Sequence, residues 1–100
     1  ANLLYIAKLP YLERVTLSFV VQIQNYNEME MFYHMAEKIF GDSHINWEIF
    51  YNRVVNWGTF TEDQYKYIDV GNPEHPEYGE LLKEYKKLPP SNSIRHNLTL

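Results

Sequence analysis

The chain has 100 residues, of which 45% are hydrophobic and 22% are charged, a composition typical of one folded domain and not of a disordered protein. Its net charge of −4, with only nine lysine and arginine residues, argues against a protein that binds nucleic acid by neutralising phosphates. The absence of cysteine excludes disulfides and thiolate chemistry, and no apolar run is long enough for a transmembrane helix.

The first predicted element, residues 15–24, fits two structures. Its odd positions are apolar and most of its even positions are polar, which is the alternation of a β-strand. The same segment also carries apolar residues at helical spacing, and Pro10 suits the first turn of a helix. We favour a helix and keep a strand as the alternative. A strand would need a partner, for which residues 3–7 and residues 94–100 are the candidates.

Helix-capping signals divide the middle of the chain into two predicted helices. Asn27 with Glu30 three residues later is a capping-box pattern, and Gly41 follows the next apolar stripe as a stop signal. A second helix is predicted from Asn46 up to Gly58. Its apolar stripe consists of five residues at helical spacing: Trp47, Phe50, Tyr51, Val54 and Trp57.

Two more helices are predicted toward the C-terminus. Thr61 and Gln64 form another capping-box pattern, at the start of a helix that runs to about Val70. The last helix begins near Pro76 and ends before a Pro-Pro pair. Its acidic residues lie early and its lysines late, which suits the helix dipole.

These patterns together predict a mainly α fold. Residues 1–90 are expected to form a single small domain of four to five short helices arranged as helical hairpins, and residues 91–100 a C-terminal tail. The alternative is an α+β fold with a strand at residues 15–24.

No catalytic, cofactor or metal site is predicted. Glu30, His34 and Glu37 lie near one helix face, but Met31 stands where the Glu-x-x-His pattern of metal-binding helical bundles needs glutamate. No serine lies in a nucleophile turn, and the four glycines are too isolated for a phosphate-binding loop. We therefore expect no enzymatic activity, no cofactor and no small-molecule substrate.

Residues 92–98, with the sequence NSIRHNL, resemble the recognition-helix motif of forkhead DNA-binding domains. The resemblance implies a helix in which Asn92 and His96 reach base edges. It covers seven residues, and Pro90-Ser91 stands where the family has a tryptophan followed by a polar residue. The upstream sequence does not resemble the first two helices of the family. Because the chain is also acidic, we expect no nucleic-acid partner.

The aromatic residues carry the remaining functional signal. They make up 16% of the chain, and a domain of this size has limited interior, so some rings are expected at the surface. Tryptophan and tyrosine often anchor protein interfaces because they bring a large contact area at a low entropic cost. We predict that Trp47, Trp57 and Tyr67 belong to a protein-binding surface.

The functional expectation is a non-enzymatic protein–protein interaction domain. We expect a small accessory or structural subunit of a larger intracellular assembly, with other protein subunits as partners and with mitochondrial assemblies as the analogy. The alternative is an acidic inhibitor or immunity-type protein that masks a basic enzyme surface, since opposite charge would steer its association.

Overall fold

The structure is a computed structural model and describes residues 8–98. This part of the chain contains three β-strands, β1 (Arg14–Val21), β2 (Asn46–Arg53) and β3 (Ile94–His96). It also contains three α-helices, α1 (Met29–Phe40), α2 (Glu62–Ile68) and α3 (Tyr78–Lys86), and a 3₁₀ turn, Tyr26–Glu28, before α1. The strands form one parallel sheet in the order β1-β2-β3.

The predicted mainly α fold of helical hairpins is wrong. The chain is a small α+β domain in which 34% of residues 8–98 are helical and 21% of them lie in the parallel sheet. The alternative prediction of a strand at residues 15–24 is the correct one, since β1 occupies most of that segment. Of the partners considered for it, residues 3–7 lie outside the described residues, and β3 pairs with β2 and not with β1.

The partner of β1 is β2, a segment for which a helix was predicted. All eight residues of β1 pair in register with β2, from Arg14 opposite Asn46 to Val21 opposite Arg53. The residues of β2 fit either period, but in the sheet the alternate side chains of Ile49 and Tyr51 are buried and that of Trp47 is half-buried. The helical interpretation of this segment fails because strand pairing on both edges satisfies the backbone and buries the alternate side chains together.

Residues 94–96, in the predicted tail, form the third strand. Ile49 N–H donates to the carbonyl of Ser93 at 2.7 Å, and Asn97 N–H donates to the carbonyl of Tyr51 at 3.2 Å. Leu98 is buried against the core. The helix implied by the forkhead resemblance is therefore not formed at these residues.

The helices cover one face of the sheet. Parallel strands require crossover connections; α1 provides the first, and α2 and α3 provide the second. The odd-numbered residues of β1 and β2, together with Ile94 and His96 of β3, face the helices. The buried core there comprises Val21, Met29, Tyr33, Ala36, Ile49, Tyr51, Val70, Leu81 and Leu98. Tyr51 also donates its hydroxyl to the carbonyl of Met29 at 2.8 Å, which ties β2 to the start of α1.

The other face of the sheet is polar. Thr16 donates its hydroxyl to Glu48 at 3.2 Å, and the Asn52 amide donates to the Ser18 hydroxyl at 2.8 Å. Arg95 lies 3.6 Å from Glu48. Most parallel sheets are covered on both faces. No helix within residues 8–98 covers this face, and its hydrogen-bonding side chains allow it to contact water.

Three of the predicted helices form close to where they were predicted, whereas the one predicted from Asn46 is replaced by β2. The Thr61–Gln64 capping box at the start of α2 is confirmed, with both reciprocal hydrogen bonds present at 2.9 and 3.2 Å. Helices α1 and α3 also form, but α1 lacks the predicted Asn27–Glu30 box. Its start is instead continuous with the 3₁₀ turn. None of the helices within residues 8–98 has both the length and the apolar character needed to cross a membrane.

Tyr26, in the 3₁₀ turn, joins this turn to the start of α3. Its hydroxyl donates a hydrogen bond to the Glu77 carboxylate at 2.8 Å. This bond, together with burial, raises the pKa of Tyr26 from 10.0 to about 12. The folded state therefore favours the protonated hydroxyl. The contribution of the Tyr26–Glu77 hydrogen bond to stability is complete below pH 10 and is lost as the pH rises through about 12.

The Tyr26→Phe substitution is expected to lower the free energy of unfolding by about 1 kcal/mol at pH 7 to 9, the usual contribution of one such hydrogen bond. The difference from the wild type should shrink above pH 10, because the Tyr26 hydroxyl then ionises in the unfolded chain while it stays protonated in the folded protein up to about pH 12. Urea unfolding of both proteins from pH 7 to pH 12 measures this. Comparison with the variant cancels the titration of the other tyrosines. A difference that stays constant up to pH 12 would contradict the assignment.

Candidate functional site

The carboxyl ends of the three parallel strands meet at one edge of the sheet, which is where open α/β sheets bind ligands. A groove of about 470 Å³ lies at this edge. Its lining comes from the ends of β1 and β2, the loop after β2, and Asn97 just after β3. We call it the carboxyl-edge groove. Segments from three distant parts of the chain form it together.

The apolar wall of the groove contains an exposed tryptophan. The Trp57 side chain is 87% exposed, and Val20 and Val55, which also line the groove, are exposed as well. The loop that carries Trp57 is held by the Asn56 side chain. The Asn56 amide oxygen accepts from the N–H groups of Gly58 and Phe60 at 2.9 and 3.3 Å, and its amide nitrogen donates to the Phe60 carbonyl at 3.1 Å.

Gly58 allows this loop to turn. Its φ of +94° lies in the left-handed region that glycine adopts without steric cost. The main chain around Trp57 is thus positioned by hydrogen bonds and by a glycine turn, while the indole ring itself faces solvent.

The polar wall of the groove is a hydrogen-bonded network across the strands. Asn52 donates its amide to Ser18 on β1, and the Asn97 amide oxygen accepts the main-chain N–H of Arg53 at 2.6 Å. These two contacts join β1 to β2 and β2 to the segment after β3. These hydrogen bonds hold the strand ends together along the polar wall of the groove. Gln22 and Thr59 add further polar groups to the lining of the groove.

The one charged residue among the described lining residues, Arg53, is neutralised by a buried carboxylate. Its guanidinium contacts both oxygens of Asp69, with Nη2–Oδ2 at 2.8 Å and Nε–Oδ1 at 3.1 Å. The Asp69 residue is 1% exposed, whereas the Arg53 side chain is 32% exposed. The hydrogen bonds from Arg53 to Asp69 raise the pKa of Arg53 and outweigh the opposing effect of burial.

Close packing of the chain encloses this ion pair. A Cβ atom added at Gly71 would lie 3.0 Å from Cγ of Arg53, so the arginine stem occupies the space that a side chain there would need. The groove consequently presents no net charge to a ligand, and its surface combines apolar groups with neutral hydrogen-bonding groups.

The structure places the three predicted binding residues in different surroundings. Trp57 lines the carboxyl-edge groove. Trp47 lies at the opposite end of β2, half-buried, with its ring centroid 5.8 Å from that of Tyr33 and 6.5 Å from that of Phe40. Tyr67 lies on α2 and is 65% exposed.

The main chain at Tyr67 is fixed by a nearly buried histidine. Nδ1 of His75 accepts the N–H of Glu77 at 3.0 Å, so Nε2 carries the hydrogen and donates to the Tyr67 carbonyl at 2.8 Å. Tyr67 therefore has a positioned backbone and an exposed ring.

Several groove residues are missing from the sequence prediction. Val20, Asn52, Val55 and Asn97 were not identified because their common feature is a position at or just after the end of a parallel strand. Only an assignment of three strands, with their direction, would have indicated them.

No metal-binding cluster is present within residues 8–98, where no three histidine, aspartate or glutamate side chains come together to hold an ion. Comparisons of the chain with protein-family models, with curated proteins and with solved structures found no match.

Substitution of Asp69 by Asn should lower the free energy of unfolding by about 3 kcal/mol, because it leaves the partly buried Arg53 guanidinium without its counter-charge. Urea denaturation at pH 7 measures this value. Lys66→Met, which removes the exposed Lys66–Glu62 pair on α2, is the matched control and should change stability little. If the two variants lose equal stability, the buried pair does not hold the groove together.

Proposed function

We propose that this chain is a non-enzymatic protein-binding domain that contacts its partner through the carboxyl-edge groove, with Trp57 as the main anchor. The observation that carries the proposal is the exposure of this tryptophan in a loop with a hydrogen-bonded main chain. Covering a large, water-exposed indole surface with a partner lowers the free energy of the complex, because apolar surface is removed from water. Its positioned loop lowers the entropic cost of ordering that contact.

The composition of the groove supports a protein partner. Binding energy in protein interfaces is concentrated in central tryptophan, tyrosine and arginine residues, surrounded by polar groups that form hydrogen bonds. Trp57 with Val20 and Val55 fits the apolar centre, and the neutral amide side chains of Asn52 and Asn97 fit the rim. A nucleic acid would need unpaired cationic side chains, whereas Arg53 is paired with Asp69.

The predicted residues divide accordingly. We propose Trp57 as the anchor and Tyr67 as a second exposed contact on α2. Trp47 takes part in the packing of β2 against α1, so we assign it no direct contact with a partner.

We further propose that the partners are other protein subunits of an intracellular assembly. The proposal is supported by one feature of the described residues, the exposed apolar surface around Trp57 in the carboxyl-edge groove. A mitochondrial assembly is proposed only by analogy with other small accessory subunits.

Substitution of Trp57 by alanine is expected to weaken partner binding by about 2 kcal/mol or more, roughly thirtyfold, the loss typical of an interface anchor. The tagged full chain is used to capture the partner from the organism of origin, and the affinity of the identified partner is then measured with the purified proteins. Tyr11→Ala is the matched control, because Tyr11 is 77% exposed and precedes β1, at the opposite edge of the sheet. Equal affinities of the two variants would refute the proposed site.

The dependence of this affinity on salt separates the proposal from an acidic inhibitor that masks a basic enzyme. Binding through the uncharged carboxyl-edge groove should weaken by less than about threefold between 50 and 300 mM NaCl, because few exposed charge pairs are screened. An inhibitor steered by its net charge of −4 should lose far more affinity over the same range. Isothermal titration calorimetry with the identified partner at several salt concentrations measures how the affinity changes with salt.

A further inference from the structure

Helix α1 presents an exposed stripe that the core does not use. Met31 is 64% exposed and Met35 is 36% exposed. Glu28, three residues before Met31, and Lys38, three residues after Met35, are exposed as well. Met31, Met35 and Lys38 are spaced by four and three positions, so they lie along one side of α1. Glu28, three positions before Met31 in the 3₁₀ turn that runs into α1, extends the stripe at its N-terminal end. The order along the stripe is acidic, apolar, apolar, basic. We call it the α1 stripe.

The centre of the stripe borders a shallow apolar groove of about 280 Å³. Met31 and Met35 line it together with Phe19 of β1 and Phe32 of α1. The two phenylalanine rings pack edge to face, with centroids 5.0 Å apart, and this contact gives the groove a packed floor. None of its lining residues belongs to the carboxyl-edge groove, so the two surfaces are separate.

The stripe is complementary to itself. When two identical helices pack antiparallel about a two-fold axis, residues at equal distances on either side of one central position face each other. Met31 and Met35 are symmetric about position 33, and Glu28 and Lys38 are symmetric about the same position. One two-fold axis therefore places Met31 of each copy against Met35 of the other. The same axis places Glu28 of each copy against Lys38 of the other.

We propose that the α1 stripe joins two copies of this chain in an antiparallel, two-fold symmetric dimer. Met31 packs on Met35 of the second copy, and Glu28 pairs with Lys38 of the second copy. Within the described residues, neither Glu28 nor Lys38 takes part in an ion pair, so both charges are available for the contact. The flexible thioether side chains of methionine adapt readily to such a symmetric contact.

Charge exchange tests both the partner and the register. Sedimentation velocity of the full chain, from about 10 µM to 1 mM, should show a reversible monomer–dimer equilibrium in the range expected for a small interface. Glu28→Lys alone and Lys38→Glu alone should each weaken association about tenfold, because each places two like-charged pairs in the dimer. The double variant Glu28→Lys/Lys38→Glu should restore the association constant to within about threefold of the wild type.

Two controls complete the design. Glu74→Lys makes the same change in net charge at an exposed site outside the stripe and should leave association unchanged. Met35→Lys should abolish association, and its circular dichroism spectrum should match that of the wild type, because the side chain is partly exposed. A wild-type chain that stays monomeric at 1 mM would overturn the proposal and leave the stripe to a different protein. Failure of the double variant to recover association would overturn it equally.

Discussion

The rest of the structure depends on the pairing of β2 with parallel neighbours on both of its edges. β2 pairs with β1 along eight residues and with β3 along three. Because parallel strands all start at the same edge of the sheet, the chain must run back from the carboxyl edge to the amino edge after β1 and again after β2. The helices lie on these two return paths. Their packing on one face leaves the other face to the even-numbered residues of β1 and β2 and to Arg95 of β3, most of which are polar.

The same constraint creates the carboxyl-edge groove. Since all three strands run in one direction, the chain segments that follow them emerge at one edge, and residues as distant in sequence as Val20, Trp57 and Asn97 become neighbours. The Arg53–Asp69 pair lies at this edge and joins the end of β2 to the segment after α2. It both stabilises the strand ends and removes the charge of the one cation in the groove, so the surface offered to a partner is neutral.

Local signals located the three helices that form, but they also predicted helices over residues 15–24 and from Asn46, where the structure has strands. The Thr61–Gln64 box acts between residues three positions apart, so it could be recognised without knowledge of the fold. Residues 46–57 carry apolar side chains that satisfy both a helical and a two-residue period, and Phe50 favoured the helical interpretation. In the structure Phe50 lies on the face of β2 away from the helices, whereas Ile49 and Tyr51 are buried beneath them.

The sequence by itself determined the acidic, cysteine-free composition, the surplus of aromatic residues, the capped start of α2 and the approximate positions of α2 and α3, because these properties reside in single residues or in neighbours along the chain. Only the tertiary structure decided that residues 14–21 and 46–53 are strands, which tryptophan packs against a helix and which faces solvent, and where the carboxyl-edge groove lies. The physical reason is that a strand has no hydrogen bonds of its own. Its stability, and the side from which each side chain is covered, come from partners more than thirty positions away in the chain.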